Sequence, residues 1–206
     1  MPNWVRNKVR FSGDKARINA LKRFVKGKET EFDFNKIVPM PDELNIGAGS
    51  DETIAKDCAL ARRAGKTTSE ELNRPWANKM SFDEWADLGD IYLNNIKKYG
   101  ASTWYDWSCN NWGTKWNAHE VYWERDDFVI FETAWSAPEP IFIALSEKFP
   151  DVTFSVEFAD EDLGNNCGTI DYDGETVTTI YSDDFEFACD VWDYDADEMR
   201  EEYGIE

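Results

Sequence analysis

Alternating apolar and polar residues near the start of the chain predict a β-strand. In the stretch "NWVRNKVRF", Val5, Val9 and Phe11 fall on one face and basic residues fall on the other. This is the pattern of a strand with one buried face. The next stretch changes to helical spacing, and Asp14 can cap it, so we predict a helix over Asp14–Lys26.

The same two patterns return after residue 100. The stretch "HEVYWERDDFVIFETAW" predicts two strands joined by a turn at Arg125–Asp127, a helix is predicted over Pro138–Lys148, and "DVTFSVEF" alternates as a further strand. The order strand, helix, strand, strand, helix, strand is that of the split βαβ, or ferredoxin-like, arrangement. We therefore predict an α+β fold, a four-stranded antiparallel sheet with two helices, built from residues 1–44 and 101–160.

A helical insertion is predicted between the two halves of this core. Residues 45–100 contain helical patterns, and Ser81 with Glu84 fits a capping box before one of them. Just before the insertion, "FDFNKIVPMPDEL" is predicted to be an extended segment that Pro39 and Pro41 break. We treat residues 1–206 as a single domain with this insertion.

The C-terminal part combines a predicted hairpin with most of the negative charge. Residues 161–206 are predicted to form a hairpin that turns at Asp173–Gly174, followed by an acidic extension that is a short helix or a loosely held tail. The chain has a net charge of −20, and residues 151–206 hold 19 acidic residues against Arg200 alone, a net of −18. Residues 1–28 instead carry a net charge of +8. We expect no direct DNA binding by so acidic a chain.

The acidic end has two interpretations, and the sequence leaves both open. Acidic surfaces commonly serve solubility, and these carboxylates could also pair with the basic start of the chain. Alternatively, the acidic end binds a basic partner, such as a nucleic-acid-binding protein. The residues predicted to contact that partner are Asp190, Asp193, Asp195, Asp197, Glu198, Glu201 and Glu202.

A tryptophan-rich stretch, "NNWGTKWNA", is the second candidate site. Gly113 permits a backbone turn that other residues resist, and indoles can pack over the end of a sheet, which favours a structural corner. The alternative is an aromatic pocket with a few polar groups. The residues predicted to line that pocket are Trp112, Lys115, Trp116, His119 and Trp135.

Motifs for metal binding and catalysis are absent from the sequence. The four cysteines never approach C-x-x-C spacing and His119 is the only histidine, so we expect reduced thiols and no metal site. The alternating aspartates near the C-terminus lack the glycine and glutamate that an EF-hand loop needs at its sixth and twelfth positions. Neither a nucleophile motif nor a phosphate-binding glycine loop occurs, so we expect no cofactor and no catalytic residue.

Membrane and export signals are also absent. The sequence has no apolar run of about 18 residues and no charged-then-apolar leader. We therefore expect a cytoplasmic protein that has no membrane contact. The sequence leaves the oligomeric state open.

Five stretches together carry a family resemblance: "MPNW", "FDFNKIVPMPDEL", "NWGTKWNA", "FETAWSAPEPIF" and "FPDVTFSVEF". They resemble the YubB-like ferredoxin-like family of plasmid- and phage-borne proteins, over residues 1–44 and 101–160. The resemblance implies the same split βαβ core and an accessory role for a mobile genetic element, in the cytoplasm of a bacterial host cell. It implies no activity and no catalytic residues, and it does not extend to the insertion or the acidic end.

Three functions remain as hypotheses. The first is a non-enzymatic accessory protein of a phage or plasmid that binds a host protein through an acidic, nucleic-acid-mimicking surface, as an antirestriction or anti-CRISPR inhibitor. The second is a small-ligand or enzymatic site at the tryptophan-rich stretch. The third is RNA binding through the basic first strand, because RNA-recognition domains share this topology. We expect that strand's open face to be partly covered, or paired with acids from the C-terminal region.

Overall fold

A single antiparallel sheet organises the larger part of the protein. The computed structural model describes residues 3–173 and 176–204. Its strands are β1 (Trp4–Gly13), β2 (His119–Arg125), β3 (Phe128–Ala134), β4 (Val152–Asp160), β5 (Cys167–Asp173) and β6 (Thr176–Ser182). They are arranged in the order β2-β3-β1-β4-β5-β6, and every neighbouring pair is antiparallel.

The helices are distributed between two compact units. One unit comprises the described residues up to Pro39 and from Asn111 onward, and the other spans Met40–Asn110. The helices are α1 (Lys15–Val25), α2 (Phe34–Ile37), α3 (Ser50–Arg63), α4 (Phe82–Tyr99), α5 (Trp104–Asn111), α6 (Glu139–Lys148), α7 (Phe185–Trp192) and α8 (Ala196–Tyr203). Short 3-10 helices occur at Asp42–Leu44, Glu70–Asn73 and Pro75–Lys79.

Strands β1 to β4 with α1 and α6 form the split βαβ core. β1 lies in the centre, where Val9 pairs with Val129 on one side and with Val156 on the other. The predicted pairing of "NWVRNKVRF" with "DVTFSVEF" is therefore confirmed. The two predicted core helices are also confirmed, at Lys15–Val25 and Glu139–Lys148, and each turns a buried apolar side inward.

The predicted four-stranded sheet is wrong in extent, because the C-terminal hairpin continues the same sheet. β5 pairs with β4 along its length, and Tyr172 stacks on Phe154 with ring centroids 4.6 Å apart. Ile170 lies opposite Val156 and is buried. Since β5 alternates apolar and polar residues in phase with β4, it extends the buried face and the sheet grows to six strands. The predicted turn at Asp173–Gly174 reaches beyond the described residues at Gly174.

Two further predictions are corrected. The stretch "FDFNKIVPMPDEL" is not extended throughout: Asp33 accepts a hydrogen bond from the Asn35 amide at 3.0 Å, caps the short helix α2, and so satisfies a donor that would otherwise be free. The acidic end is neither a single short helix nor a loose tail, because α7 and α8 both form there and four of the eight residues of α7 are buried.

The second unit is a helical assembly with its own core. α3 packs along α4, and the buried side chains Ile54, Trp85 and Tyr92 lie between them and the adjoining turns. The predicted capping box is present, since the Ser81 and Glu84 side chains each accept a hydrogen bond from the other residue's backbone amide. Residues 45–100 lie within this unit.

Candidate functional site

Residues 183–204, which we call the acidic lobe, consist of α7, α8 and the short segments beside them, and they contain ten acidic residues. α7 is anchored to the open face of the sheet by Trp192, whose indole Nε1 donates to the carbonyls of Ala159 at 3.1 Å and Asp160 at 3.0 Å. Ala188 and Cys189 are fully buried in the same apolar cluster. The lobe is therefore a fixed part of the sheet unit, because burying these side chains ties α7 to β4 and β5.

α8 is attached to α7 by both apolar and charged contacts. The rings of Phe185 and Tyr203 meet edge to face at 6.1 Å, and Met199 packs against the cluster beneath α7. Arg200 of α8 joins the two helices by pairing with Glu186 of α7, and it also pairs within α8 with Asp197 at 3.4 Å. Hydrogen bonding to Glu186 raises the pKa of Arg200, and this ion pair links α8 to α7.

The predicted contact residues fall into two groups in the structure. Three are engaged within the protein: Asp193 pairs with β1, the Asp195 side chain caps α8, and Asp197 pairs with Arg200. Four others are exposed, and their side chains form no ion pair or hydrogen bond with the described residues. These four are Asp190, Glu198, Glu201 and Glu202.

Asp193 belongs to an internal charge cluster with the first strand. Its carboxylate accepts a hydrogen bond from Lys8 Nζ at 2.6 Å and pairs with Arg6 at 3.5 Å. Lys8 Nζ also donates to the Asp190 carbonyl at 2.8 Å, and Arg6 lies over the Trp192 ring at 4.5 Å. The expected covering of the basic strand by C-terminal acids is thus confirmed for two of its cations.

The third cation of the basic strand, Arg10, also contacts another side chain. Arg10 lies over the Phe128 ring at 4.0 Å, on the same open face of the sheet. Lys8 is buried and Arg6 is half-buried beneath α7, while Arg10 is exposed. The face through which RNA-recognition domains stack bases is therefore covered in part here.

The predicted pocket residues separate into a core group and a surface group. Trp112 is buried, donates from Nε1 to the Val38 carbonyl at 2.9 Å, and packs edge to face against Phe34. It is therefore a packing residue and not the wall of an open pocket. Trp116, Trp135 and His119 are exposed, and Lys115 is half-buried beside them.

The exposed members form an array of rings around one cation, which we call the indole surface. Lys115 Nζ lies 4.4 Å from the Trp116 ring centroid and 4.9 Å from that of Trp135, so it contacts two indoles at once. Trp4 was not predicted to belong to this site, but it stacks on His119 at 4.7 Å and contacts Trp116 at 5.8 Å. The alternation in the first strand places Trp4 on the open face of β1, and this was the sequence feature that could have assigned it to the site.

Trp135 has a backbone conformation that its residue type rarely adopts. Its φ is +74°, in the left-handed region that costs a bulky residue about 1–3 kcal/mol. Both of its peptide groups are held, since its amide donates to the Asn3 carbonyl at 3.0 Å and its carbonyl accepts from Asn166 Nδ2 at 2.9 Å. These bonds fix an indole that remains 42% exposed.

The two loops that carry the indole surface are tied together by hydroxyl groups. Thr114 Oγ1 donates to the Ala134 carbonyl at 2.8 Å, and Ser136 Oγ donates to the Gly113 carbonyl at 2.5 Å. Gly113 has a φ of +76°, and a side chain there would collide with the Pro140 ring. Glycine is therefore required for the close approach of these loops.

The described residues contain no cluster of potential metal ligands, and three of the four cysteine thiols are buried. No group of three or more potential ligands among His, Cys, Asp and Glu residues lies close enough to hold a metal ion. The cysteines are all free thiols, and burial raises the pKa of Cys58, Cys167 and Cys189, which keeps them protonated and weakly nucleophilic. Among the described helices, none is both long and apolar enough to cross a bilayer.

Comparison with known proteins identifies a related domain in the second half of the chain. The family model described as "Ferredoxin-like domain in Api92-like protein" matches residues 111–206. None of the curated proteins matches the chain. Among solved structures, that of protein api92 from Yersinia pseudotuberculosis has 14% sequence identity and a TM-score of 0.44, covering 88% of this chain and 99% of its own. Residues 111–206 are thus similar to the ferredoxin-like domain of Api92-like proteins.

Proposed function

We propose that this protein is a non-enzymatic binding protein whose acidic lobe docks on a basic surface of another protein. One observation carries the proposal. Asp190 projects from α7, which is anchored to the sheet, and Glu198, Glu201 and Glu202 project from α8, which packs against α7. None of the four is neutralised by a described residue. Fixed carboxylates hold a strong negative potential at a defined place, which speeds encounter with a basic partner.

Exposed tyrosines give the acidic lobe more than charge. Tyr194 and Tyr203 lie on its surface among the carboxylates, and each contacts another aromatic ring of the lobe. Tyrosine is enriched at the centres of protein interfaces, because its ring buries a large area and its hydroxyl can still form a hydrogen bond. A surface meant for solubility alone does not need these rings.

We further propose which kind of protein this partner is. The resemblance to the YubB-like family supports an accessory role for a phage or plasmid. The partner is then a nucleic-acid-binding defence protein of the host, and the spaced carboxylates stand in for phosphates. Inhibition of restriction or of a CRISPR effector is the activity that this arrangement serves.

The test measures displacement of DNA from purified bacterial restriction and CRISPR effector proteins by fluorescence anisotropy. One variant neutralises the four lobe residues, as Asp190→Asn, Glu198→Gln, Glu201→Gln and Glu202→Gln. A matched control neutralises four exposed acids elsewhere, as Glu29→Gln, Glu70→Gln, Glu124→Gln and Glu147→Gln. Both variants change the net charge from −20 to −16.

The wild type and the control should displace DNA, and displacement should weaken steeply with salt because exposed charges are screened over about 8 Å at physiological ionic strength. The lobe variant should lose displacement. Equal activity of the two variants would remove the acidic lobe from the interface and leave its acidity as a solubility property.

The indole surface supports a second candidate function, the binding of a small ligand. The observation that favours it is the left-handed Trp135, since strain held at an exposed aromatic residue is a feature of functional sites. The array combines aromatic faces with the Lys115 cation, which suits a flat anionic molecule. Screening a library of aromatic acids by ligand-observed NMR, with Trp135→Gly as the comparison, tests this function. Equal binding by both proteins would exclude it.

A further inference from the structure

The outer edge of β6 is exposed in a way that the other edge of the sheet is not. β6 is the last strand in the sheet order, and no described strand pairs with its outer side. Its sequence, "TVTTIYS", has neither a charged residue nor a proline, and its pairing with β5 runs without a bulge from Thr176 to Ser182. Such an edge is a template for another strand unless something blocks it.

The opposite edge, β2, carries the usual protections. Its sequence, "HEVYWER", is charged, its register with β3 shifts twice, and Glu120 within it has a φ of +48°. Bulges and charges of this kind discourage edge-to-edge pairing. The contrast within one sheet indicates that the open edge of β6 is a particular feature of this molecule.

The side chains of β6 offer apolar contacts on both faces. Ile180 is 59% exposed on the open face, while Val177 and Tyr181 are 45% and 67% exposed on the face that carries α6. Tyr181 is held in place, because its hydroxyl donates to Glu139 Oε1 at 2.9 Å. An added strand could place β-branched or aromatic residues against these positions.

The charges around β6 favour a basic occupant. Asp171 and Asp173 are exposed on β5 directly beside Thr178 and Thr176, and Asp183 and Asp184 follow the end of the strand. A Lys or Arg on an added strand would reach across the threonines, since two strand spacings are roughly 10 Å. A second copy of this chain would bring the same acids and a net charge of −20 to that edge, so self-pairing is disfavoured.

We propose that β6 captures an extended segment of the partner by strand addition, and that this segment alternates apolar residues with Lys or Arg. The inference deepens the proposed function and rests on its basic partner. The acidic lobe then attracts the partner, and the backbone of β6 fixes it in register.

The probe is a random twelve-residue peptide library displayed on phage and selected on the full chain. Selected peptides should lack proline and should alternate β-branched or aromatic residues with Lys or Arg. Methylation of alternate backbone amides in a resynthesised peptide should abolish binding, because it removes the ladder donors. A library without binders, or binders without this alternation, would overturn the inference.

Substitution of Ile180 separates strand addition from plain charge attraction. Ile180→Asp adds a negative charge, so charge attraction alone would hold or strengthen binding of a basic peptide. Strand addition predicts at least a tenfold loss. Ile143→Asp is the matched control, because Ile143 is similarly exposed on α6, and it should change the affinity less than twofold. Unchanged affinity in Ile180→Asp would overturn the inference.

The outcomes also distinguish this inference from the proposed function. Loss of peptide binding with Ile180→Asp alone would uphold strand addition and refute docking on the acidic lobe. If only the four lobe substitutions abolished peptide binding, docking on the acidic lobe would be upheld and strand addition refuted. If sedimentation instead showed a wild-type dimer that Ile180→Asp dissociates, the edge would serve self-association and the inference would be wrong.

Discussion

Replacing Asp193 by asparagine tests whether the acidic lobe is fastened to the first strand by charge. Lys8 is only 8% exposed, and its ammonium contacts the Asp193 carboxylate at 2.6 Å and the Asp190 carbonyl at 2.8 Å. Asp193 has a φ of +58°, a conformation that asparagine also tolerates. The substitution therefore removes one negative charge beside an enclosed cation and leaves the backbone undisturbed.

The expected loss follows from the surroundings of the pair. Two unit charges about 3 Å apart attract by roughly 5–6 kcal/mol at an effective dielectric constant near 20, and desolvation of the lysine offsets most of this. The Asp193 side chain is 59% exposed, which lowers the expected loss of stability towards the ~1 kcal/mol contributed by a surface ion pair. The burial of Lys8 instead raises the expected loss towards the ~3–5 kcal/mol that is lost when a buried charge is left unpaired. We expect unfolding to become easier by about 2 kcal/mol.

The assay is urea unfolding followed by tryptophan fluorescence, with Glu198→Gln as a control that should change the free energy of unfolding by less than about 0.5 kcal/mol. The double variant Lys8→Met with Asp193→Asn should recover most of the loss, because the enclosed charge is gone. Loss below about 0.5 kcal/mol for Asp193→Asn, or strictly additive effects in the double variant, would refute the fastening role.

Three further predictions concern the core, the strained indole and the helical unit. Trp112→Ala should lower the free energy of unfolding by about 3–5 kcal/mol, because the buried indole also loses its hydrogen bond to Val38; an unchanged melting temperature would contradict its core position. Trp135→Gly should be more stable than Trp135→Ala by about 1 kcal/mol, since glycine adopts φ +74° freely; the reverse order in thermal melts would mean that the strain is absent. Hydrogen bonding to Lys98 lowers the pKa of Glu43 to about 2. Its contribution to the helical unit is therefore complete above the ordinary glutamate pKa and is lost as the pH falls towards 2. Circular dichroism during acid titration should show that the Glu43→Gln variant loses less helical signal than the wild type as the pH falls from the ordinary glutamate pKa towards 2.

The sequence predicted the helices and strands whose pattern lies within one short stretch. It did not predict the position of a strand in the sheet, which depends on pairing between residues far apart in the chain. β1, α1, α6 and β4 follow from spacing within one stretch, and the capping box of α4 follows from two residues three positions apart. β5 alternates just as clearly, but alternation does not say which edge a strand joins. Its place beside β4 depends on contacts such as Tyr172 on Phe154, which only the folded sheet brings together.

The candidate sites show the same division. Seven acids near the C-terminus look alike in sequence, yet only the Asp193 carboxylate pairs with Lys8, because Asp193 ends α7 in a left-handed turn that points this carboxylate towards β1. The left-handed Trp135 could not be predicted either, since tryptophan is not a residue that signals positive φ. The uncharged stretch "TVTTIYS" was readable as a strand, but its position at an unprotected edge was not.

The central position of β1 determines when the sheet can assemble during synthesis. β1 ends at Gly13, and its partners β3 and β4 begin only at Phe128 and Val152. At about 5–20 residues per second, the ribosome needs roughly 6–25 s to deliver β3 after β1. The segment Met40–Asn110 packs mainly against itself and emerges during that interval, so it can fold first. Newly made chains therefore carry an unpaired, basic strand for many seconds, and the acidic lobe that covers it arrives last.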